Sequence, residues 1–132
     1  MVNRLLQPQE IEVFYVLPAL RRELAFCMKE TGKSQKDIAK LLSVTEPAIS
    51  QYMSSKRAAI IKFNETLRGA VREASKRITN ETSMFREMQR LLKLMREERV
   101  VCQVHGSLGS APKGCNVCFE HESQTIQIKG PV

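Results

Sequence analysis

Gln35-Lys36-Asp37-Ile38-Ala39-Lys40-Leu41-Leu42-Ser43-Val44-Thr45-Glu46-Pro47-Ala48-Ile49-Ser50-Gln51-Tyr52 is the stretch on which the reading of this chain turns. Ser34, just before it, suits a helix N-cap, and Asp37 three residues later completes a capping-box-like pair. Ile38 and Leu42 then fall on one helical face, with the small Ala39 beside them where a second helix can cross closely. Ser43-Val44 makes a turn that buries Val44 between the helices. Thr45 caps the second helix, and Pro47 suits its first turn, where a missing N–H costs nothing. Ile49 and Tyr52 face inward, leaving Glu46, Ala48, Ser50 and Gln51 outward.

That outward face is small and polar at its N-terminal end, as a helix entering a DNA major groove requires. Gln35 and Lys36 open the preceding helix, where a side chain and the helix N-terminus can meet a phosphate. Lys56 and Arg57 follow the second helix and are expected on the backbone of the duplex. The candidate nucleic-acid contacts are therefore Gln35, Lys36, Thr45, Glu46, Ala48, Ser50, Gln51, Lys56 and Arg57.

The charge agrees with that expectation. The formal net charge is +7 over 132 residues. Residues 1–62 carry ten Lys/Arg against six Asp/Glu, residues 63–99 nine against six, and residues 100–132 two against two. The positive excess thus lies in the first three quarters, where phosphates would be met. Aromatic content is only 5% and Trp is absent, which argues against a base-stacking surface for single strands.

Ser34–Arg57 resembles the Cro/repressor-type helix-turn-helix family. The run Leu17-Pro-Ala-Leu-Arg-Arg-Glu-Leu-Ala, then Ser-Gln-Lys-Asp-Ile-Ala and Ala-Ile-Ser-Gln-Tyr-Met-Ser-Ser-Lys-Arg, more narrowly resembles archaeal predicted regulators with a Cys/His-rich C-terminal tail. Ser43 departs from the family pattern, which has glycine in the turn, and must adopt a less comfortable backbone. The resemblance implies sequence-specific duplex binding by a homodimer on a palindromic operator, with repression by promoter occlusion the simplest mechanism. An adaptor or antitoxin-type interaction module is the alternative from another class.

Around this stretch the chain reads as mainly α: a helix-turn-helix unit (1–62), a helical dimerisation arm (63–99) and a small Cys/His metal-binding tail (100–132). Leu17, Leu20, Leu24 and Met28 set a helical period over about residues 11–29, with Pro18 either starting the main helix or kinking it. Thr31-Gly32 stops it. Further helices are predicted over about 58–78 and 83–99, punctuated by Asn80-Glu81-Thr82. In the last of these, Phe85, Met88, Leu92 and Met95 recur as a heptad seam through which two copies would pair. Cys27 reads as core.

After Val100 loop and short strand are expected, with four of the six glycines in the last 33 residues. Cys102-x2-His105 and Cys115-x2-Cys118 form two ligand pairs, and His121 is an alternative donor. Three thiolates and an imidazole suit structural zinc, with an iron–sulfur cluster as the alternative. No catalytic residues are expected: a zinc deaminase needs Glu two residues after its His, and position 107 is Ser. Met1–Glu10 lacks the apolar core of a signal peptide and no stretch is long enough to span a membrane, so a cytoplasmic chain is expected. In that compartment disulfides are disfavoured.

Overall fold

Helix begins at Pro8, whose lack of an N–H suits a first turn, and the Gln7 N–H is met by the Glu10 carboxylate at 3.0 Å. Pro18 then sits ten residues further on, and the chain accommodates it without a break. Helix α1 (Pro8–Ile11) runs into a π-helical turn (Glu12–Val16), in which the Leu17 N–H reaches back to the Glu12 carbonyl. Helix α2 (Leu17–Glu30) follows with Pro18 in its first turn. The wider turn is where the i→i−4 ladder is reset before the proline. Both readings of Pro18 are thus partly met: the main helix starts there, and it continues from an earlier one.

The computed structural model describes residues 6–56, 58–109 and 114–120. Among them the regular structure is helical, with no strand. After α2 come α3 (Gln35–Leu42), α4 (Glu46–Ser54), α5 (Glu65–Arg77), α6 (Glu81–Glu97) and α7 (Val100–Leu108), then a short 3-10 turn (Val117–Phe119). No helix among the described residues is long and apolar enough to cross a membrane.

Local chemistry sets each boundary. The Ser34 hydroxyl accepts the Asp37 N–H, that of Thr45 the Ala48 N–H, and the Asn64 and Asn80 side chains the N–H groups of Leu67 and Ser83. Each satisfies one donor that a helix start leaves orphaned. The helix expected from about residue 58 therefore starts only at Glu65. Gly32, at φ 90°, turns the chain out of α2.

At the end of α3, Ser43 lies in the left-handed region (φ 56°, ψ 42°). Its N–H reaches the Lys40 carbonyl and the Val44 N–H the Ala39 carbonyl at 3.0 Å, which is a Schellman closure built without glycine. The strained backbone expected of Ser43 is the one it adopts.

Helix α2 is the hub, with α3, α4, α5 and α6 packed on it, and α6 also lies against α3, α5 and α7. Leu20, Leu24 and Met28 of the predicted stripe are fully buried, with Ile38, Leu42 and Ile49 from the α3–α4 pair. The buried side chains run as one cluster from Ile11 to Val104. Residues 63–99 therefore share a core with 1–62 rather than forming a separate arm.

Two expectations change here. Met88, Leu92 and Met95 are buried within the chain's own core, whereas Phe85 is 67% exposed. The seam proposed for pairing is an intramolecular contact, because α6 lays its apolar face on α2, α3 and α5. The start of the tail is helix, not loop and strand: Val100, Val101, Val104 and His105 are buried along one face of α7. Arg99, at φ 56°, makes the corner between α6 and α7.

Candidate functional site

Helices α3 and α4 both pack on α2, and α4 keeps one face exposed. Ile49 is buried beneath it, while Thr45, Glu46, Ser50 and Gln51 are exposed and Ala48 is half-buried. These are the residues expected to point outward. Their side chains are short apart from Glu46 and Gln51, so a partner surface can approach the backbone of α4 closely. The Glu46 carboxylate at the first turn favourably opposes the positive end of the helix.

Gln35 has a more defined place than its sequence position suggests. Its amide nitrogen donates to the Glu46 carbonyl at 3.0 Å and to the Ser50 hydroxyl at 2.7 Å. Both N–H donors of the amide are thereby used to fix α4 against the start of α3. A phosphate at this point would meet the first backbone N–H groups of α3 and the exposed Lys36 instead. Lys56 is exposed just past the end of α4, and Arg57 lies outside the described residues.

Two residues the sequence did not single out extend this surface. The Arg21 guanidinium lies over the Tyr52 ring, 5.6 Å from its centroid, and donates to the Tyr52 hydroxyl at 3.2 Å. Arg22 stacks on Phe26 and donates to the Ser55 carbonyl, an acceptor just past the end of α4. Their only signal was that both lie off the Leu17–Leu20–Leu24–Met28 stripe. The tertiary contact with Tyr52 leaves no local trace.

No family model, curated protein or solved structure matches this chain.

A second group of candidates lies at the far end. Cys102 occupies the first turn of α7 and is half-buried; Cys115 is half-buried and Cys118 exposed, and neither these nor Cys27 are in disulfides. Arg99 at the start of α7 donates to the Asn116 side chain at 2.9 Å, tying the two segments together. Burial raises the Cys118 thiol pKa above its ordinary value, and the nearby Cys102 and Cys115 thiols raise it further.

His105 is not in a tight-turn knuckle with Cys102. It is a buried helical residue, three positions on, whose Nε2 donates to the Leu6 carbonyl at 2.7 Å. His121 lies outside the described residues. Among the described residues no group of three or more His, Cys, Asp or Glu is already arranged to hold a metal ion.

Other charged groups serve the fold. Glu87, only 3% exposed, is held by Arg90 at 3.0 Å and Arg77 at 3.5 Å. Arg96 grips Glu12 through two bonds, at 2.8 and 3.1 Å, closing α6 onto the π-turn. That bond to Glu12 raises the Arg96 pKa further above its already high value.

Proposed function

We propose that the chain is a sequence-specific duplex-DNA-binding transcription regulator whose α3–α4 pair works as a helix-turn-helix. The observation that carries this reading is the exposed, small-polar face of α4 from Thr45 to Gln51, pinned by Gln35. A rigid helix with short side chains is what a major groove accepts, and Ser50 and Gln51 have the chemistry to contact base edges. Lys36 and Lys56 flank that face, and the net charge of +7 favours a polyanion. Repression by promoter occlusion follows as the simplest outcome of occupying an operator. Two copies on a symmetric operator would have to pair through a surface other than Met88, Leu92 and Met95.

The test is selection of genomic fragments by the purified full chain, followed by titration of the selected duplex at several salt concentrations. A preferred sequence and affinity that falls steeply with salt are expected. Gln51→Ala should weaken the selected site by about tenfold or more and relax the preference at one position. Lys56→Ala should weaken all duplexes alike and reduce the salt slope by about one. Retention of wild-type binding in the Gln51→Ala, Lys56→Ala double variant would overturn the recognition-helix assignment. Failure to bind any duplex would favour the interaction-module reading.

A further inference from the structure

Arg21 and Arg22 are neighbours on α2, and both reach the C-terminal end of α4. Arg21 lies over the Tyr52 ring and donates to the Tyr52 hydroxyl; Arg22 stacks on Phe26 and donates to the Ser55 carbonyl. Both are half-buried, and among the described residues neither pairs with a carboxylate. Arg77, Arg90 and Arg96, by contrast, each hold a glutamate. A cation partly withdrawn from water is unfavourable when no opposite charge meets it. The aromatic faces offset part of that penalty and hold each guanidinium in place. Among the described residues each arginine uses one of its five N–H groups, so most of its donor fork is left over.

Helix α4 has nine residues, so its ends lie about 13 Å apart. Lys36 and the first backbone N–H groups of α3 flank the N-terminal end, which Gln35 ties down through the Glu46 carbonyl. Arg21, Arg22 and the exposed Lys56 collect at the other end. That separation is close to the ~12 Å width of a major groove, which is bordered by two lines of phosphates. We propose that Arg21 and Arg22 bind backbone phosphates of the duplex beside the C-terminal end of α4. The inference rests on the DNA-binding reading and extends it to α2, outside the helix-turn-helix pair. A planar guanidinium can take two oxygens of one phosphodiester at once. Stacking on Tyr52 and Phe26 lessens the side-chain freedom lost when the phosphate arrives. The contact carries no base preference; it fixes the register of α4 in the groove.

The full chain is titrated with its selected duplex and with a random-sequence duplex at several salt concentrations. Arg21→Gln and Arg22→Gln should each weaken both duplexes alike, by about tenfold, and lower the salt slope by about one. Arg21→Lys keeps the charge and should keep the slope. A variant that only loosens the fold loses affinity with its slope unchanged, so the slope separates a phosphate contact from a structural role. In the wild-type chain, bound duplex should shield both arginines from an arginine-modifying reagent, which decides should a glutamine variant fail to fold. A wild-type slope in either glutamine variant, or arginines modified as fast with duplex as without it, would overturn the proposal and leave the DNA-binding reading standing. A wild-type chain that binds neither duplex would overturn both.

Discussion

Gln35 donates to the hydroxyl of Ser50 at 2.7 Å across 15 residues of chain, so the first residue of α3 sets the position of the exposed face of α4. The same amide also holds the Glu46 carbonyl. Gln35→Ala removes both bonds and leaves the α3 cap on Ser34 intact. It should lower unfolding free energy by only about 0.5–1.5 kcal/mol, since the bonds are exposed to water. Its effect on duplex affinity should be larger, about tenfold, because loss of the bridge frees α4 to move relative to α3. Chemical denaturation beside a binding titration separates the two effects. A stability loss with unchanged duplex affinity would mean that α4 needs no bridge to engage its partner.

Ser43 makes a turn whose dihedrals favour glycine. A non-glycine residue in the left-handed region costs about 1 kcal/mol or more, part of which glycine returns as extra backbone entropy lost on folding. Ser43→Gly should therefore raise stability by about 0.5 kcal/mol, and Ser43→Val should lower it by about 1 kcal/mol or more. Thermal melts of the two variants beside the wild type are sufficient. Equal melting of all three would show that the turn relaxes away from φ 56°.

Where a signal is local it was legible before the structure. Ser34 and Thr45 cap because an oxygen two or three residues ahead of an orphan N–H acts whatever the rest of the chain does. Ser43 could be flagged for the same reason. The pattern Phe85-Met88-Leu92-Met95 correctly marked an apolar face, but periodicity does not say which surface covers it, and α2, α3 and α5 cover three of its four residues. Helix α7 was missed because Val100, Val101 and Val104 favour extended backbone and Gly106 weakens a helix, so local preference and tertiary burial disagree there. The spacing Cys102-x2-His105 fits a tight turn and a helix equally well. The structure uses the helix, and the bond from His105 to the Leu6 carbonyl, 99 residues away, is a tertiary partner that local spacing does not reveal.

Cys27 carries a prediction about alkaline pH. Burial raises its thiol pKa above the ordinary value, with smaller contributions from Glu30 and Glu23. Below the ordinary value near pH 8.5 the thiol is neutral in both folded and unfolded chains and favours neither. As pH rises past that value the unfolded chain ionises first, so stability is lost until the folded pKa is passed. Denaturation midpoints should fall as pH rises above the ordinary thiol value, and Cys27→Ala should flatten that fall relative to its own value at pH 7. An unchanged slope in the variant would assign the alkaline loss to other groups.

Phe85 and Met95 lie on one apparent stripe but in opposite surroundings, which gives the sharpest check on how α6 is used. Met95 is 1% exposed, against 67% for Phe85. Truncating a buried Met leaves a cavity that a packed core closes only in part, so Met95→Ala should cost about 2–5 kcal/mol. Phe85→Asp changes an exposed side chain near the start of α6, where a negative charge suits the helix dipole, and should stay within about 0.5 kcal/mol of wild type. A seam between two copies predicts the reverse pattern: both changes would weaken self-association, and stability would depend on protein concentration. Denaturation of each variant at two concentrations a hundredfold apart therefore tests the intramolecular role. Concentration-independent midpoints with a large loss only in Met95→Ala are expected. A concentration-dependent loss shared by both variants would return α6 to a role in pairing.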